Sequence, residues 1–173
     1  MIRTCYDFRD PYTIKAVYCS IVRPILEYAS VVWTPLYEVH IKRIENIQRS
    51  FLRFALRKLG WRDRLNLPSY TDRCQLINIQ TLEVRRRNAG LLFAFDIFNG
   101  NVDSPALLGI LGLNVPSRPL RDTEFLHRRL HRTNYGLAEP ICNIIRLVND
   151  CKSFDFGLSR KQFKNLIERD HTL

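Results

Sequence analysis

The stretch from Glu38 to Lys58 constrains this chain more than any other part of it. Wound at about 100° per residue, it gathers Ile41, Ile44, Ile47, Phe51, Phe54 and Ala55 on one broad face. Lys42, Arg49, Arg53 and Arg57 fall in a narrow band on the opposite face. The spacing predicts an amphipathic helix whose apolar side must be covered by other elements. Its basic band is then carried outward on a rigid rod. Beyond Glu38, Glu45 is the one acid inside this segment.

The elements around it read as helices too. Asp10 is a candidate cap and Pro11 suits a first helical position. Behind them Ile14, Val17, Tyr18, Ile21 and Val22 recur at helical spacing. Pro24 lacks an N–H and crowds the carbonyl four residues back, which predicts a break or kink before a second piece that ends near Thr34-Pro35. Further helices are expected over about 69–77, 81–98 and 104–111, with Ser69 as a cap and Gly100 as a stop. Residues 113–138 hold Pro116, Pro119 and many arginines, and predict loop or extended structure. Two more helices follow, at about 139–149 and 159–169. The expected fold is therefore all-α: an irregular helical bundle over residues 1–112, then a loop-rich, loosely ordered C-terminal extension over 113–173 with two helices.

Charge narrows the partners. Lys plus Arg number 27 against 17 Asp plus Glu, a formal net charge of +10, which favours a polyanion such as nucleic acid or an anionic surface. The most apolar stretch, Ile14 to Trp33, is interrupted by Lys15, Arg23, Pro24 and Glu27, so no membrane span is expected. Five cysteines, irregularly spaced and odd in number, do not suggest a secreted disulfide scaffold. The expectation is an intracellular protein, nuclear or cytoplasmic, in a reducing compartment.

Catalytic signatures are missing. Two-metal polymerase chemistry needs paired aspartates, and no Asp-Asp pair occurs; Asp63, Asp72, Asp96 and Asp103 are scattered and read as caps or solvated charges. There is neither a phosphate-cradling Gly-rich loop nor a nucleophile elbow. His127, His131, Cys142 and Cys151 do not have the tight ligand arms of a structural zinc site, so solvated histidines are the expected reading. The basic segment remains. Lys42, Arg43, Arg49, Arg53, Arg57, Lys58, Arg62 and Arg64 supply phosphate-binding groups, and Trp61 supplies a ring that could stack on a base or fill the core. Arg85–Arg87 forms a weaker cluster, since a triplet spans most of a helical turn. Arg128, Arg129 and Arg132 form a third, in the loop-rich part.

The segment DPYTIKAVYCSIVRPILEYASVVWTP (10–35) resembles the region that follows the polymerase palm in LINE-like, non-LTR retrotransposon reverse transcriptases, especially Jockey-like elements. The resemblance continues through IKRIENIQRSFLRFALRKLGW (41–61) and LPSYTDRCQLINIQTLEVRRRNAGLLFAFDIFNG (67–100), then LNVPSRPLR, RTNYG and FDFGLSR. It implies that residues from about 11 to 60 are a helical thumb holding a primer–template duplex of RNA and DNA, and that 61–173 run on toward the end of the reading frame. It also implies that Mg²⁺, the catalytic palm and an endonuclease belong to upstream parts, so that this chain has no catalytic residue or cofactor and is inactive by itself. A truncated gene copy would account for that. The expected function is nonspecific nucleic-acid binding through Lys42, Arg49, Arg53, Arg57, Lys58, Trp61, Arg62 and Arg64. The alternatives are a self-association module built on Tyr18–Trp33, and a remnant with no function.

Overall fold

A computed structural model describes residues 10–61, 67–115 and 124–169. The chain is all-α, and the described residues contain no sheet, only an isolated antiparallel bridge between Leu113 and Leu126. The helices are α1 (Pro11–Val17), α2 (Arg23–Glu27), α3 (Ser30–Trp33), α4 (Glu38–Lys58), α5 (Tyr70–Leu76), α6 (Leu82–Phe98), α7 (Pro105–Ile110), α8 (Asn134–Leu137), α9 (Pro140–Asp150) and α10 (Arg160–Arg169), with a π-helical turn, Tyr18–Val22, joining α1 to α2. None is long and apolar enough to cross a membrane.

The π-helical turn is how the chain accommodates Pro24. Arg23 N–H donates to Tyr18 O, five residues back, instead of four. The widened turn moves the backbone carbonyls that the proline ring would otherwise strike. The helix is therefore not broken at Pro24. It ends after Glu27, where Tyr28 turns extended and Ala29 takes the left-handed region at φ 49°.

The chain forms two compact units. The first comprises Met1–Ala29 with Pro35–Arg85, and the second Ser30–Thr34 with Arg86–Leu173. The boundary expected at 112/113 thus lies inside the second unit. The reason is packing. The C-terminal half of α6 (Leu91, Ala94, Phe95, Ile97) shares one buried core with Leu126, with Ile144, Ile145 and Val148 of α9, and with Phe163 and Ile167 of α10. In that core Phe95 and Phe163 stack at 4.7 Å between centroids, and Phe98, Phe125, Phe154 and Phe156 form a cluster of edge-on and tilted rings beside them. Asp96 and Arg160 tie α6 to α10 through Nε–Oδ1 and Nη2–Oδ2 hydrogen bonds of 2.8 and 3.0 Å.

The core of the first unit joins Ile14 and Tyr18 to Phe51, Leu52, Ala55 and Leu56 of α4 and to Cys74, Ile77 and Ile79. Two polar side chains of α4 are buried beside it. Gln48 accepts from Tyr18 Oη at 2.8 Å and donates to the Gln80 carbonyl at 2.9 Å. Glu45 accepts from Tyr70 Oη and, at 2.6 Å, from the backbone N–H of Glu83 in the first turn of α6. A carboxylate in that position satisfies a helix-terminal donor and lies at the positive end of the helix dipole.

Candidate nucleic-acid interface

Helix α4 has the expected bounds, but its buried face does not lie where apolar residues alone put it. The buried set is Glu45, Gln48, Phe51, Leu52, Ala55 and Leu56, while Ile47 is 45% exposed. The buried stripe is rotated toward the basic band by roughly 70° around the helix axis. The cause is the two hydrogen-bonded polar side chains, Glu45 and Gln48, which face inward and bring Leu52 and Leu56 with them.

That rotation sorts the basic residues. Arg53 and Arg57 are exposed, and Arg57 Nε donates to the Arg53 carbonyl at 3.2 Å. Arg43 is exposed as well. Lys42 is exposed but holds Glu38 at 2.6 Å. Arg49, at the edge of the band, is half-buried; its guanidinium lies 4.7 Å above the Tyr70 ring, and its Nε is buried with no hydrogen-bond partner. Lys58 is half-buried, with its Nζ 5.8 Å above the Phe54 ring. Since Glu45 is buried and Glu38 is held by Lys42, the outer face of α4 beyond its first turn carries cations with no acid among them.

Trp61 follows a Schellman ending. Trp61 N–H donates to Leu56 O and Gly60 N–H to Arg57 O, with Gly60 at φ 92°, where a side chain would be strained. This ending fixes the backbone direction at Trp61, whose side chain is 41% exposed and so does not fill the core. Arg62 and Arg64 lie outside the described residues.

The residue that sequence reasoning missed is Arg73. It sits on α5, a helix whose start is locked by a capping box: Ser69 Oγ accepts from the Asp72 N–H, and the Asp72 carboxylate accepts from the Ser69 N–H. Arg73 is only 7% exposed. Its Nε donates to Ser69 O at 3.2 Å, but its Nη1 is buried without a partner. Burial, and after it the positive charge of Arg53, press its guanidinium below its ordinary basicity, and Arg49 acts in the same direction. Three arginines from two helices thus come within electrostatic reach of one another, with no carboxylate paired to them among the described residues. The available signal was the capping box, which sets the register of α5 and turns position 73 inward.

The other basic clusters are used differently. Arg85 is bound to Glu27 by Nε and Nη2, the latter at 2.9 Å from Oε2, and Arg86 is buried, so 85–87 does not form a phosphate row. Arg128, Arg129 and Arg132 are exposed, with Arg128 held by Glu124 at 2.6 Å. Three of the aspartates have structural roles: Asp10 caps α1, Asp72 caps α5 and Asp96 holds Arg160. Comparisons with protein-family models, curated proteins and solved structures give no match to this chain.

Proposed function

We propose that this chain is the thumb and post-palm end of a LINE-like reverse transcriptase, and that it grips nucleic acid without reading its sequence. The observation that supports this most is the Arg49–Arg53–Arg73 group. Like charges held together, with buried guanidinium N–H groups left unsatisfied, cost free energy on the order of 1–3 kcal/mol for each such donor. A phosphate oxygen seated among them would offset the repulsion and satisfy the donors, and Arg suits that task through its fork of donors. Arg57 extends the row. Positions 49, 53 and 57 span about 12 Å of helix, a length comparable to several phosphates of one strand at about 3.4 Å each. Trp61, at the end of the same helix, offers a ring for stacking. Contacts to phosphate position a duplex and carry no sequence information. The proposed partners are therefore primer–template duplexes of RNA and DNA, and bond formation belongs to a palm with paired aspartates.

The test is fluorescence anisotropy of the full chain with an RNA–DNA hybrid across a salt series, with a single strand for comparison. The expected result is a slope of log affinity against log salt of about −3 or steeper, from several released counterions. Absence of binding at low salt overturns the reading.

A second reading has its own support. Ile21, Ile25 and Tyr28 of the first unit are exposed, Ile25 by 74% and Tyr28 by 80%. Exposed apolar side chains spaced along one short stretch favour association with a second copy. Sedimentation velocity that shows mass rising with concentration, and falling back on Ile25→Glu, supports this reading; a constant monomer mass removes it.

A further inference from the structure

We propose that His131, Glu139 and Cys142 form a transition-metal site, with Zn²⁺ as its occupant. His131 Nε2 lies 3.0 Å from Cys142 Sγ and 3.8 Å from Glu139 Oε2, and Cys142 Sγ lies 3.9 Å from the same carboxylate oxygen. A tetrahedral zinc ion with bonds of about 2.0–2.3 Å to nitrogen, sulfur and oxygen has ligand–ligand edges of roughly 3.3–3.6 Å. The observed triangle brackets those edges. An ion can therefore reach all three donors with side-chain adjustments of a few tenths of an ångström. Imidazole, thiolate and carboxylate together are a donor set suited to zinc.

The local fold builds this triangle. Glu139 is the N-cap residue of α9 and Cys142 lies three residues on, so both side chains fall on one side of the helix start. His131 precedes α8, and its ring rests against the backbone of Gly136. A Cβ at position 136 would fall 2.6 Å from His131 Nδ1, so only glycine leaves room for the ring. Gly136 is itself held by a 3.2 Å hydrogen bond from its N–H to Thr133 Oγ1. The ion would clip the extended stretch before α8 to the start of α9, and a fourth coordination position would be left for water or another donor.

This replaces the ligand pattern weighed on the sequence. Among its four members, His127 is exposed and Cys151 is buried in the apolar core, so neither joins the group. Glu139 takes part instead, a residue that spacing rules for His and Cys do not search. The site lies within the second unit, and the proposal does not depend on nucleic-acid binding.

The test uses the full chain, reduced and stripped of metal with a chelator, then titrated with Co²⁺ and afterwards Zn²⁺. The expected result is a thiolate-to-cobalt charge-transfer band that saturates at one equivalent and is bleached by zinc. Cys142→Ser and His131→Asn should each abolish it, with far-UV circular dichroism unchanged, whereas Cys151→Ser and His127→Asn should keep it. Glu139→Gln should weaken cobalt binding while preserving the thiolate band. No thiolate band from the wild-type chain at one equivalent overturns the proposal, and that result does not require any variant to fold. A band that survives Cys142→Ser overturns it equally.

Discussion

Tyr70 is held from two directions by residues one turn apart on α4: its hydroxyl donates to Glu45, and its ring lies 4.7 Å beneath the guanidinium of Arg49. One aromatic side chain of α5 thus fixes both a buried carboxylate and the innermost cation of the basic band. Tyr70→Phe keeps the ring and removes one donor from the buried Glu45 carboxylate. The expected cost is about 1–3 kcal/mol, read as a lower urea midpoint, with nucleic-acid affinity unchanged. A midpoint equal to wild type would show that this hydrogen bond does not help hold α5 on α4.

Gln48 is the other buried polar side chain of α4. Gln48→Met preserves length and apolar volume but strands the Tyr18 hydroxyl and the Gln80 carbonyl. A buried hydroxyl and a half-buried carbonyl losing partners should cost roughly 2–4 kcal/mol. Thermal unfolding followed by circular dichroism checks the loss.

Arg73 separates stability from binding. Arg73→Met removes a buried, crowded cation, so the unliganded chain should keep its stability to within about 1 kcal/mol. Inorganic phosphate should raise the Tm of the wild-type chain by mass action and raise that of the variant less. An equal response of the two to phosphate would detach Arg73 from anion binding.

Arg53→Glu with Arg57→Glu should weaken binding to every hybrid sequence alike. On duplex DNA, the loss of two phosphate contacts should flatten the salt slope by about 2. Arg129→Glu with Arg132→Glu, in the second unit, is the comparison and should leave the slope as it is. Equal effects from the two pairs would mean that net charge, and not the α4 face, drives binding.

Acid should weaken the second unit. The hydrogen bond from Arg160, chiefly, holds Asp96 below its ordinary value of 3.8. A depressed carboxylate stabilises the fold above the unfolded-state value, and that contribution is lost as pH falls through the folded-state value. Stability should therefore decline below about pH 4. Asp96→Asn should flatten this decline and cost up to about 1 kcal/mol at neutral pH, a small figure because Arg160 is largely solvent-exposed.

Much of the helical layout was legible because caps and stops are local. Asp10, Ser69 and Gly100 mark ends that the structure places within a residue or so of expectation. What was not legible depends on distant partners. Glu45 and Gln48 look like surface residues until Tyr18, Tyr70, Gln80 and Glu83 reach them, and their burial turned α4 away from the face its isoleucines suggest. Arg73 is buried by contacts that α5 makes only once it is folded against its neighbours. The unit boundary escaped because the apolar half of α6 finds its partners roughly fifty to seventy residues further on, in α9 and α10.

The short helix α3 has a consequence in time. Ser30–Thr34 is counted with the second unit although first-unit sequence flanks it on both sides, and α3 packs on α9. During synthesis, every segment of the first unit has emerged once Arg85 leaves the ribosome, yet α3 must wait roughly sixty residues more for its partner. At about 5–20 residues per second, that is an interval of several seconds with Val31 uncovered. A chaperone that recognises short apolar segments can meet the nascent chain there, and the docking of α3 waits on translation past Asp150.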